Sequence, residues 1–165
     1  MSNFTKEKPK LHIWHTIYPR GAICLLVVLA LLKGVLWSAV VPFGQAPDEF
    51  SHFSLIQFVA EFGRLPRAGE RYMSDELAEV IRLTEAGRIA FHRDRRQTFG
   101  EGVMAPNEPG ILALDPTLRR TFERARPSTA NFVPPLYHAV AALGYRLFYH
   151  QDALARFFGA RLASV

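Results

Sequence analysis

The sequence predicts an all-α integral membrane protein, and three observations carry that expectation. An apolar run from Gly21 to Phe43 is broken by one charge, Lys33. Four basic residues, Lys6, Lys8, Lys10 and Arg20, stand before it. After it, apolar side chains recur at helical spacing between helix start and stop signals. Composition alone announces nothing of the kind. Hydrophobic residues make up 49% of the 165, near the average of about 45–50% for globular chains. Their uneven distribution is the signal.

The expected organisation has one complete transmembrane helix, a mostly helical extracytoplasmic loop, and one or two further short or truncated membrane helices. Residues 1–20 form a basic cytoplasmic N-terminus. Residues 21–43 form the first span, because roughly 20 apolar residues at about 1.5 Å each cross a hydrocarbon core of about 30 Å. Each Leu, Val or Ile favours insertion by about 0.3–0.6 kcal/mol, and a central lysine opposes it by about 2.5–3.5 kcal/mol. The apolar sum wins. Trp14, Tyr18 and Trp37 fall where interfacial aromatic belts sit, and the upstream lysines place the N-terminus in the cytoplasm. Gly44-Gln45-Ala46 imitates a signal-peptide cleavage site, but the basic leader and the apolar run are both long for a signal peptide.

Residues 44–131 follow as a charged extracytoplasmic loop, which reads as too short and too charged to bury a large core. Three helices are expected in it. The first opens at Pro47-Asp48-Glu49 and stops at Gly63, with Phe50, Phe53, Ile56, Val59 and Phe62 on one face. That face suits the membrane surface or other membrane helices. The second runs from Asp75 to Ala86, capped by Ser74 and stopped by Gly87. Residues 100–110 read as irregular. The third starts at Asp115-Pro116 and ends before Pro127. Residues 132–149 then read as a second membrane helix, and 153–165 as the start of a third. Because this run is still open at Val165, the expectation is the front part of a longer polytopic protein, whose C-terminal part would be its partner.

The formal charge is +5, from 20 basic and 15 acidic residues. No zinc spacing, RNP-like strand or basic recognition helix accompanies it, so nucleic acid is not the expected partner. Anionic lipid headgroups or a phosphorylated ligand fit better. Arg88, Arg93, Arg95 and Arg96 are candidates for binding phosphate, against the alternative of a solvated basic loop. The one cysteine, Cys24, excludes a disulfide framework within the chain.

Asp48-Glu49-x-x-His52 is the sharpest constellation. On a helix Asp48 and His52 share a face four residues apart, and Glu49 and His52 stand three apart. A carboxylate and an imidazole so placed can take a proton from a hydroxyl, or hold a divalent metal through Asp48 and His52 with another ligand. Acids at a helix start also serve simply to offset the dipole. Asp48, Glu49 and His52 are thus the candidate catalytic residues.

Gln45-Ala46-Pro47-Asp48-Glu49-Phe50-Ser51-His52-Phe53, with Gly63-Arg64-Leu65-Pro66 after it, resembles the start of the first outer loop in GT-C class membrane glycosyltransferases. It looks closest to the bacterial branch related to protein O-mannosyltransferases and to the bacterial membrane proteins with a Pro-Pro-Asp-Glu-Pro-x-His-Phe motif. Val133-Pro134-Pro135-Leu136-Tyr137 is similar to the opening of the second membrane helix in those proteins, and Arg156 to Val165 to the third. The resemblance implies sugar transfer from a polyprenyl-phosphate donor to an acceptor on the outer face of a bacterial inner membrane. It implies an acid of the first loop at the reaction centre, as general base or metal ligand, matched here by Asp48. The alternative is a non-catalytic membrane-anchored protein whose outer segment binds lipid or a partner.

Overall fold

The structure, a computed structural model, describes residues 20–46, 48–89, 107–123 and 135–163. Among these residues every regular element is helical. The first, α1, is Arg20–Val40. Its 21 residues rise about 31 Å at about 1.5 Å each, the thickness of a bilayer core. Apolar side chains cover it on all sides and stay exposed, Leu26 at 66% and Trp37 at 67%. A core helix of a water-soluble fold would bury one stripe, whereas α1 is long and apolar enough to cross a membrane. The helix ends at Val40, short of the expected Phe43. Pro42 lacks the amide to continue it, and Phe43 turns into the body, where it is 2% exposed. Its ring meets Phe157 edge-on, with centroids 4.5 Å apart.

Helix α2, Glu49–Phe62, is the axis of the body. It starts at Glu49, with Asp48 as its N-cap, and closes at Gly63. Gly63 adopts φ 66° and returns its amide to the Val59 carbonyl at 2.9 Å. The stripe expected to face the membrane surface or other membrane helices packs at Phe53 and Ile56 against later helices, while Phe62 stays 39% exposed. Phe53 to Phe58 are buried without a break, because helices pack on both sides. Phe53, Ile56 and Ala60 share one cluster with Ala141, Tyr145 and Phe157, while Leu55 and Phe58 join Tyr72 in another.

Helix α3 is Asp75–Leu83. As expected, Ser74 caps it, its hydroxyl accepting the Leu77 amide at 3.1 Å. It ends three residues early. The Thr84 hydroxyl donates back to the Val80 carbonyl at 2.7 Å, and Glu85 swings to φ 51°. Gly87 is no stop signal; it lies within α4, Ala86–Ile89. Helix α5, Glu108–Leu112, starts inside the stretch read as irregular, and its Ile111 is buried. Asp115-Pro116 opens only a 3₁₀ turn, Pro116–Arg120, with the Asp115 carboxylate accepting the Thr117 amide at 2.8 Å.

Helices α6, Pro135–Leu147, and α7, Ala153–Leu162, form a hairpin. Asp152 caps α7 by accepting the Ala155 amide at 2.9 Å. The pair crosses at Gly144 and Gly159, so closely that a Cβ on Gly144 would lie 2.2 Å from the Gly159 carbonyl oxygen. Both helices pack on the body. Helix α6, with 13 residues, rises about 20 Å, less than a bilayer core. Its outer face exposes Leu136, Leu143 and Leu147.

A core forms between the loop segments, Phe43, α6 and α7, and its charges pair inside. Gln57 is the hub: its amide donates to Glu76 at 2.8 Å and to the Tyr145 hydroxyl at 3.3 Å, and its carbonyl accepts from Ser74 at 2.5 Å. Arg156 pairs with Glu76, both side chains 4% exposed. The Glu61 carboxylate, fully buried, accepts from Tyr145 at 3.0 Å, Tyr149 at 3.2 Å and Arg120 at 2.8 Å. A buried charge without partners costs several kcal/mol, about 3–5 when one member of a pair is removed. Here each acid has partners from two or more elements.

Candidate functional site

Where the chain leaves α1 it makes a tight turn before α2, and that turn sorts the candidate acids. Gly44 adopts φ 75°, and a side chain there would collide with the Phe50 ring, its Cβ 2.0 Å from Cζ. Its amide donates to Glu49 at 2.8 Å. Asp48 follows in the left-handed region, φ 57° and ψ 12°, a conformation costing a non-glycine residue about 1–2 kcal/mol. It occupies the N-cap but its side chain caps nothing. Its carboxylate is exposed, and among the described residues no hydrogen bond or ion pair engages it. The His52 amide is bonded to the Asp48 backbone carbonyl at 3.0 Å, as helix geometry requires.

Glu49 has a different fate. Arg161 of α7 reaches it with Nε at 2.6 Å and Nη2 at 2.5 Å. The same guanidinium donates to the carbonyls of Ser38, Val41 and Pro42, at 3.0, 2.6 and 3.2 Å. The Ser38 carbonyl is one of those left over in the last turn of α1, and Val41 and Pro42 follow it in the turn, where a cation is also favoured by the helix dipole. Burial pushes the Glu49 carboxyl above the usual range, and Arg161 with the amides of Gly44 and Ala46 pulls it partway back. Glu49, a candidate for the chemistry beside Asp48, is thus held by Arg161.

His52, one turn along α2, meets His138 of α6 across the helix interface, Nδ1 to Nε2 at 3.2 Å. It also lines a cavity of about 140 Å³ together with Glu49, Tyr137, Arg161 and the apolar Phe53, Ile56 and Phe157. Glu49 and His52 therefore come together at one small cavity, and Asp48 stands outside its lining, on the surface at the turn. Among the described residues no three His, Cys, Asp or Glu side chains gather as a metal site. Asp48 and His52 are two candidate ligands, short of such a group.

Arg88 lies in α4, but its side chain, and Arg93, Arg95 and Arg96 entirely, fall outside the described residues. So do Lys6, Lys8, Lys10, Trp14 and Tyr18, the Pro47 of the motif, and Val133-Pro134. Pro135 and Leu136 begin α6, and Tyr137 reaches the cavity wall. Sequence reasoning missed Arg161 and His138. A signal existed for the first: an arginine within an otherwise apolar helical run must find an acid or carbonyls to bury against. Nothing in the spacing marked His138, which lies 86 residues from its partner.

No family model, curated protein or solved structure matches the chain.

Proposed function

We propose that the chain is the N-terminal segment of a GT-C class membrane glycosyltransferase, working on a polyprenyl-phosphate sugar at the outer face of a bacterial inner membrane. One observation carries the reading: Asp48 is an exposed carboxylate, uncommitted among the described residues, held in a strained backbone conformation in the turn beyond α1. Strain of this kind clusters at functional sites, and here an ordinary N-cap bond has been forgone. In this reading α1 crosses the bilayer with its lysine-rich start in the cytoplasm, so Asp48 emerges where a lipid-borne phosphate lies. The α6–α7 hairpin supplies the next membrane-facing elements, its exposed leucines towards lipid.

The chemistry assigned to Asp48 is that of a general base. The acceptor O–H bond breaks and its proton passes to the carboxylate. The oxygen bonds the anomeric carbon of the sugar, and the bond from that carbon to phosphate oxygen breaks with its electron pair leaving on the phosphate. Arg88, Arg93, Arg95 and Arg96 are proposed to meet the phosphate. Glu49 holds the turn, and His52 stands behind Asp48 as a second proton acceptor.

The test compares membranes from cells carrying the gene in its genomic setting, intact or with Asp48→Asn, for transfer of labelled sugar from polyprenyl phosphate. Loss of transfer at unchanged protein level is expected. Transfer that persists in the variant removes Asp48 from the reaction. If deleting the whole gene leaves sugar transfer untouched while the chain is firmly membrane-bound, the non-catalytic anchored protein is the better reading.

A further inference from the structure

We propose that the cavity bounded by α2, α6 and α7 binds a neutral, benzene-sized group that carries a hydroxyl, such as a phenol. In the reaction proposed above this group belongs to the acceptor and not to the phosphate donor. That assignment rests on the proposed reaction; the binding site itself does not.

Size and walls come first. The cavity holds about 140 Å³, close to the roughly 150 Å³ in which an apolar protein cavity takes up one benzene molecule. Phe53, Ile56, Phe157 and Ala160 form its apolar side, and all four are buried. The rings of Phe53 and Phe157 meet edge-on with centroids 5.0 Å apart, so packed side chains bound the space. A hexose, polar on every edge, would leave hydroxyls unpaired against these walls.

Two charges line the cavity as well, and both are already spent. Glu49 meets Nε of Arg161 through Oε1 at 2.6 Å, and its Oε2 accepts the Gly44 amide at 2.8 Å. All three guanidinium nitrogens of Arg161 are engaged, by Glu49 and by the carbonyls of Ser38, Val41 and Pro42. A phosphate or carboxylate entering here would face Glu49 with no cation left to meet it, and its lost hydration would go uncompensated. His52 is different. Its Nδ1 is taken by Nε2 of His138 at 3.2 Å, which leaves Nε2 of His52, with no partner among the described residues, as the ring nitrogen that can meet a ligand. A hydroxyl both donates and accepts. It therefore satisfies that nitrogen in either tautomer, which neither an ammonium nor a carboxylate can do.

The test titrates phenol, benzoate and inorganic phosphate into the full chain, ¹³C-labelled at histidine, in lipid nanodiscs near neutral pH. The His52 ring signal is the readout, and that of His150, exposed and off the cavity wall, is the control. Phenol should shift His52 saturably and leave His150 unmoved, while benzoate and phosphate should move neither. Ala160→Leu, which fills the cavity, should weaken phenol binding about tenfold or more. If Ala160→Leu fails to fold, Ala46→Leu fills the space from a half-buried position on the same wall. A His52 signal that phenol does not saturate overturns the proposal. So does binding of benzoate or phosphate as tight as that of phenol, or phenol binding unchanged in a folded, filled variant. Sugar transfer enters none of these readings, so the ligand class of the cavity and the role of Asp48 can fail separately.

Discussion

The guanidinium of Arg161 closes on the Glu49 carboxylate at 2.5 Å and, with its remaining donors, takes three carbonyls from the end of α1. One side chain of the last helix thereby fastens the apolar helix, the turn that presents Asp48, and the start of α2.

Removing Arg161 should cost more than removing both members of the pair. Arg161→Leu leaves a largely buried carboxylate and three carbonyls without their donor, a loss of about 3–5 kcal/mol. Arg161→Leu with Glu49→Leu should recover part of that loss, because no charge is left stranded. Thermal unfolding in detergent, followed by circular dichroism, measures both. Glu49→Leu alone completes the cycle, and a double-variant loss equal to the sum of the two single losses would mean that the pair is not coupled.

At the crossing of α6 and α7 there is no space for a methyl group. Gly144→Ala sets a Cβ 2.2 Å from a backbone carbonyl, and backbone cannot move aside as a flexible side chain can. We expect a loss of about 1–3 kcal/mol or more, read as a lower melting temperature. Gly21→Ala, where a Cβ meets nothing, serves as the control and should leave the melting temperature unchanged.

Glu70 gives the clearest acid signature. Arg64 grips it with two bonds, at 2.6 and 2.8 Å, and the Arg67 amide adds a third at 2.7 Å. These hold its carboxyl down at about 2, below the ordinary glutamate value of about 4.3. Its contribution to stability is therefore complete above about pH 4.3 and is lost as the pH falls through about 2. Carboxyl ¹³C titration should show the low midpoint, and Arg64→Ala should move it up towards the ordinary value. A midpoint near the ordinary value in the intact chain would mean that the three bonds do not persist in solution.

Lys33 opposes membrane insertion of α1. Lys33→Leu should favour insertion by about 3 kcal/mol or more, raising the fraction of chain that integrates into microsomes. Both forms should stay in the pellet after alkaline carbonate washing. Release of the intact chain into the wash would sink the membrane-spanning reading.

Much of the helical skeleton was legible because its punctuation is local. Ser74 and Gly63 act as cap and stop where their residue types predict. The failures are places where tertiary partners overrode local signals. The phenylalanine stripe of α2 reads as a membrane-facing surface only if the opposite face is polar and wet. Gln57 and Glu61 on that face are instead buried and satisfied by residues from distant segments, Tyr145 and Arg120 among them. The same holds at the site. Asp48, Glu49 and His52 were visible as a cluster, but spacing could not show that Arg161, 112 residues away, would claim one acid and leave the other exposed.

Phe43 gives the apolar helix a standing beyond that of a tether. The residue that ends the hydrophobic run is a wedge in the body, held between the rings of Phe50 and Phe157. A fragment beginning at Gln45 would start with a hole in its interior and with Arg161 deprived of the three backbone carbonyls it grips. Helix α1 and the body should therefore melt together rather than in two stages, and any tilt of the rod would be felt at Asp48.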